Sequence, residues 1–189
     1  MNIEEDILRI KKVMGLLSEI KNSDIKITNE PSIDSDDLIR SDWFNIDLSK
    51  LTDIERKGIE QLKRNNKFEN VFKQSVKNLL KRYPKVNKIV ARKDGVIIGY
   101  LIWVESTPKM ENIKDLDPTI KIPVIVSTAI SPDYRNQGLY NNLFKNSGII
   151  NDYLVHVSDV LSPYEFWEKK GCKTIREINY QNKILYCKS

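Results

Sequence analysis

Apolar residues recur at helical spacing at the start of the chain. Ile3, Ile7, Ile10, Met14 and Leu17 follow at steps of four and three, and Val13, Leu16 and Ile20 widen the stripe. That period lays one apolar face along a helix from about Ile3 to Ile20, expected to pack on a domain core. Asp24–Thr28 (DIKIT) alternates polar and apolar residues and reads as a short strand. Asn29 to Lys50 is acidic and poorly periodic, a loop with a brief helical turn anchored by Trp43 and Phe44. Thr52-Asp53-Ile54-Glu55 is a capping box, in which Thr and Glu satisfy each other's free amides, and a helix to about Arg64 follows. A further helix, about Phe68 to Tyr83, turns Phe68, Phe72, Val76, Leu79, Leu80 and Tyr83 inward, and Pro84 stops it.

Beyond Pro84 the pattern becomes that of strands. Lys88–Arg92 and Val96–Glu105 flank the hairpin turn Lys93-Asp94-Gly95, with its favoured Asp-Gly pair. Val96 to Val104 is nearly all apolar, so this strand is covered on both faces and central in its sheet. A loop over Thr107–Lys121 leads to a second long apolar strand, Ile122–Ile130. Gly138 to about Asn146 is helical, Tyr153–Ser158 is a strand, and Pro163–Lys170 is a helix ended by Gly171. Cys172–Ile178 and Lys183–Cys187 form a closing hairpin. The chain therefore reads as an α/β protein, helices first and a mixed sheet after.

At 189 residues the chain is long enough for one domain with a real core and only marginally for two. Its net charge is +5, with basic residues scattered among acidic ones and the largest local excess in Lys73–Lys88. A solvated helix face explains that excess better than a nucleic-acid surface, so nucleic acid is not an expected partner. A basic surface also suits a cofactor carrying several phosphates. Two cysteines, Cys172 and Cys187, and the single His156 are too few for a zinc site, and no metal is expected. Reduced, largely buried thiols are the expectation, with a disulfide between neighbouring strands as the alternative. No apolar run approaches the roughly 20 residues of a membrane span, and the acidic N-terminus is unlike a signal peptide. The expected location is the cytoplasm.

The chemistry concentrates between Val124 and Tyr140. A buried strand ends at Ser131, a Pro132-Asp133 turn follows, and a helix opens at Gly138. Free backbone amides and the positive end of a helix dipole then converge on one point, a site for phosphate oxygens. Gly138 permits close approach of a ligand, and Arg135 adds positive charge. An ordinary strand-turn-helix with an exposed Arg135 is the plainer alternative.

Ala129-Ile130-Ser131-Pro132-Asp133-Tyr134-Arg135-Asn136-Gln137-Gly138-Leu139-Tyr140 resembles the acetyl-CoA motif of the GNAT N-acetyltransferase superfamily, with Arg135, Gly138 and Tyr140 on its signature positions. Ser162 to Cys172 is similar to that family's late helix ending in an aromatic, a charged pair, Gly and an apolar residue. The resemblance spans about Val86 to Cys187. It implies a GNAT-like mixed, mostly antiparallel central sheet flanked by helices. Residues 86–189 would be the acyl-CoA-binding core, and residues 1–85 a helix-rich N-terminal extension on the acceptor side. It further implies that amides of Asn136, Gln137, Gly138, Leu139 and Tyr140 hold the coenzyme A pyrophosphate. Main-chain groups of Ala129 and Ile130 would pair with the pantetheine arm. The implied activity is acetyl transfer from acetyl-CoA, as co-substrate, to an amine by direct attack on the thioester in a ternary complex. The implied acceptor is a small molecule or peptide, with no membrane partner, and the protein a monomer or homodimer.

Three positions depart from the family pattern. Tyr140 stands where Gly or Ala is usual, and its ring is expected to point outward. Trp167 stands where many members carry a general-acid Tyr, and an indole cannot perform that transfer at neutral pH. Val124 stands where some carry a strand glutamate. The replacements weighed are Tyr164 as proton donor, otherwise a packing aromatic; Ser158 at a strand end; and Glu105 as base or cation holder, otherwise a solvated terminus. His156 is a base or a satisfied sheet histidine. The alternative function is an acyl-CoA-binding or interaction module that has lost acid and base.

Overall fold

A computed structural model of the chain describes residues 24–30, 53, 56, 57, 60, 82, 83, 85–158, 164–179 and 182–188. The helix expected over Ile3–Ile20, the Trp43 and Phe44 anchors and most of the two helices before Pro84 lie outside the described residues. Asp53, Arg56, Lys57, Glu60 and Arg82 are helical.

Among the described residues seven strands form one sheet: β1 (Lys26–Asn29), β2 (Val86–Lys93), β3 (Val96–Ser106), β4 (Ile122–Ile130), β5 (Tyr153–Ser158), β6 (Lys173–Asn179) and β7 (Asn182–Cys187). Their order is β1-β2-β3-β4-β5-β7-β6. Every neighbouring pair is antiparallel except β4 and β5, which run parallel. The long connection the parallel pair requires holds α1 (Leu139–Ser147). A second helix, α2 (Tyr164–Lys169), links β5 to β6. The β2–β3 turn has positive φ at Asp94 (51°) and Gly95 (81°), the backbone an Asp-Gly hairpin adopts. Strand β1 joins the edge of the same sheet, and Arg92 on β2 pairs with Glu30 just beyond it at 2.8 Å. Residues Lys26–Asn29 thus share the sheet of the strands after Pro84.

Side-chain alternation gives the sheet two covered faces. Ile98, Leu101, Ile125, Val155 and Leu185 pack beneath α1 and α2. Val104, Val124, Leu154 and Ile184 face the other way, against Tyr83 and Ile113. Gly99 of β3 lets α1 sit close. A Cβ there would meet Leu139 Cδ2 at 3.3 Å and Leu143 Cδ1 at 3.4 Å.

The cysteines overturn the expectation of reduced thiols, for Cys172 and Cys187 form a disulfide. The β6–β7 register explains it. Lys173 lies opposite Tyr186, so the next residues outward, the two cysteines, face each other at the open end of the hairpin, with Cα atoms 4.2 Å apart.

Candidate active site at the fork between two strands

Strand β4 carries the site because it bends. Its register with β3 runs from Val124↔Val104 to Ile125↔Trp103, then skips Val126 and resumes at Ser127↔Ile102. One extra residue in one strand is a β-bulge, which kinks the strand and increases its twist. The parallel partner β5 follows β4 only at Val124↔Leu154 and Ile125↔Val155. Pairing stops where the bulge begins, so the strands fork, and β4 loses its cover: Val124 and Ile125 are buried, Val126 through Ile130 only partly so.

The free edge beyond the fork presents backbone to a ligand. Ser131 N–H bonds to Ile98 O at 2.9 Å, which sets the phase of the ladder. By antiparallel alternation the peptide groups of Ala129 turn toward β3, while those of Thr128 and Ile130 turn to the side β5 has left. Of the two residues expected along a pantetheine arm, Ile130 offers its main-chain N–H to the slot, its carbonyl accepting from Arg135. Ala129 lies opposite Tyr100 in the ladder.

At the end of that edge a 3-10 turn, Pro132–Tyr134, leads into α1. Asn136 (φ 59°) and Gly138 (φ 75°) both take left-handed backbone, which fans successive N–H groups toward a common concavity. Among the described residues, no hydrogen bond occupies the main-chain N–H of Asn136, Gln137, Gly138, Leu139, Tyr140 or Asn141. A Cβ at Gly138 would meet nothing within 4 Å, so the space where a side chain would point is open. Arg135 folds across the turn, its Nε donating to Ile130 O at 3.1 Å, which fixes the guanidinium beside the fan. Gln137 braces the loop through Nε2 to Asp133 O at 2.8 Å. Lys170, from the end of α2, donates to Asn141 Oδ1 and lies 5.2 Å from the centre of the Tyr140 ring. It brings a second cation to the helix N-terminus. Sequence reading missed it because α1 and α2 meet only in the fold.

The Tyr140 ring is not outward-pointing. It is buried against Phe166 and Trp167, with centroids at 5.0 and 5.6 Å, both edge-on. Only its amide is left to the concavity. Burial, and then the neighbouring Tyr153, push its phenol pKa well up, so it stays neutral.

The proposed proton carriers are scattered. Glu105 is exposed, pairs with Lys121 at 3.1 Å, and stands opposite Pro123 at the far end of β4 from the amide fan. Tyr164 directs its hydroxyl to Thr174 Oγ1 on edge strand β6 at 2.9 Å, with Lys183 over its ring. Ser158 ends β5 at the open end of the fork, paired with Asn182. Trp167 is buried in the core.

His156 lies at the fork. It is the first β5 residue after the last pair with β4, on the face opposite Val155 and Val157. Its Nε2 is 3.0 Å from Glu111 Oε2. Glu111, in the β3–β4 loop, is wholly buried. Its carboxylate accepts hydrogen bonds from Tyr83 and Ser106, both at 2.6 Å, and from Arg82 at 3.1 Å. Burial alone would raise its pKa. The hydrogen bonds from His156, Ser106 and Tyr83, with the charge of His156, outweigh that and hold it at about 2. No local pattern betrays Glu111, since Arg82, Tyr83 and His156 come from distant segments.

No protein-family model matches this chain, and no curated protein matches it. Solved structures do. An acetyltransferase of the GNAT family from Streptococcus agalactiae is similar over 87% of this chain and 95% of its own, with a TM-score of 0.54 and 13% identity. The Pyrococcus horikoshii protein PH1933 covers 87% of this chain and 98% of its own at a TM-score of 0.54 and 16% identity. At such identities the likeness is one of fold.

Proposed function

From the GNAT fold that this chain has, we propose that the protein is an acyltransferase that passes the acetyl group of acetyl-CoA to an amine. The amine attacks the thioester directly while both substrates are bound. The observation that carries this is the coincidence of the β4 bulge, the loss of β5 after Ile125 and the unpaired amide fan at Asn136–Asn141. A forked edge accepts a chain of alternating amides, and the fan accepts a diphosphate; coenzyme A joins these two groups in one molecule. Arg135 and Lys170 supply positive charge where the phosphates would lie. The thioester would then reach back to the fork. Holding amine and thioester in line supplies ~7–11 kcal/mol of the barrier reduction, and a backbone amide of the Ser127–Ile130 strand would stabilise the oxyanion.

Calorimetry with acetyl-CoA, followed by thiol release across a panel of primary amines and peptides, tests the proposal. Binding and release of free coenzyme A are expected; no binding contradicts it. The core burial of Trp167 and the apolar Val124 favour one second reading, a module that binds acyl-CoA without turnover. It predicts binding with no thiol release from any amine.

A further inference from the structure

We propose that His156, oriented by Glu111, is the proton carrier of the transfer, serving first as base for the attacking amine and then as acid for the departing sulfur. This rests on the acyltransferase reading above. Burying a carboxylate is costly unless its oxygens are satisfied. Here Tyr83 and Ser106 bond to Oε1, and Arg82 and His156 to Oε2. The loop is fixed by Glu111 N–H to Thr107 O at 3.0 Å and Ile113 N–H to Pro108 O at 2.8 Å. Arg176 of β6 donates to the main-chain carbonyl of Glu111. So firm a mount holds one side chain that reaches solvent at the fork, His156, whose side chain is 24% exposed.

The mount also settles the tautomer. An ionised carboxylate only accepts, so in the neutral ring Nε2 carries the proton and Nδ1 the lone pair. Among the described residues Nδ1 has no hydrogen-bond partner. A thioester drawn along β4 from the fan arrives where β5 departs, beside this ring. As the amine nitrogen bonds to the carbonyl carbon, Nδ1 takes one of its protons. The C–S bond then breaks, its electron pair leaves on sulfur, and the proton passes from Nδ1 to the thiolate. The products are the amide and the free thiol, and the imidazole is neutral again. One residue thereby covers both roles left open by Val124 and Trp167.

The chain has one histidine, so 15N-histidine labelling reports His156 alone. The neutral ring should show protonated Nε2 and bare Nδ1, and saturation with acetyl-CoA should shift Nδ1. Glu111→Gln should erase the tautomer preference while acetyl-CoA still binds. With an amine from the panel that the wild type acetylates, His156→Gln should lower kcat on the order of 100-fold. Its affinity for acetyl-CoA should be unchanged, and added imidazole should restore part of the rate in His156→Ala. An Nδ1–H tautomer, an Nδ1 signal unmoved by bound acetyl-CoA, or full turnover in His156→Gln overturns the proposal and leaves the acyltransferase reading standing. Failure of acetyl-CoA to bind at all defeats both.

Discussion

Left-handed backbone at Asn136 and Gly138 aims the amides between them, and the space before Gly138 is open. A side chain added there points into the ligand's place and carries the strain of positive φ. Gly138→Trp is expected to abolish acetyl-CoA binding by calorimetry, with the far-UV circular dichroism of the wild type retained. Tyr164→Phe is expected to leave turnover within about twofold, because its hydroxyl serves Thr174. Glu111 makes a prediction about acid. Its pKa in the fold is about 2 against an ordinary 4.5, so it stabilises the fold fully above pH 4.5. That contribution, on the order of 3 kcal/mol, is lost as pH falls from about 4.5 toward 2. Urea midpoints for Glu111→Gln and wild type should therefore differ at pH 7 and converge near pH 2. A constant gap would count against the network. The amide fan was legible in the sequence because its Pro, Arg and Gly are contiguous. Glu111 was not, since nothing in an aperiodic loop tells which carboxylate will be buried.

Strands and helices were legible to within a residue or two where apolar runs are long, as in β4 and β5. The fork was not, because a bulge is a count between two strands and neither strand's own pattern contains it. The same holds for the disulfide, whose half-cystines meet through hairpin register. That crosslink closes a short loop, with a separation of 15 residues. By loop entropy it is worth about 3 kcal/mol, and reduction or Cys172→Ser with Cys187→Ser should lower stability by about 2–3 kcal/mol in urea titrations. The seat of α1 on β3 is as specific. Gly99→Val, which must push Leu139 and Leu143 aside, should lower the melting temperature and, by moving the start of α1, weaken acetyl-CoA binding.

Across the whole molecule the two faces of the sheet divide the labour. Under α1 and α2 lies the larger apolar core, with the amide fan at the end of β4. The other face carries the buried Glu111 and, at the fork, His156. The fork joins the two faces, so a ligand held by the fan on one side can be met by an acceptor from the other. The sheet itself was foreseeable from the strands after Pro84. Its order was implied only by the family resemblance, because parallel pairing of β4 and β5 leaves no mark in either strand. Amide-resolved NMR during titration with acetyl-CoA tests the ligand's path most directly. Shifts should concentrate at Asn136 to Asn141 and at Thr128 and Ile130, with the β6–β7 hairpin unmoved. A titration that leaves those amides in place, or moves others instead, would contradict a coenzyme bound across the fan and the free edge of β4.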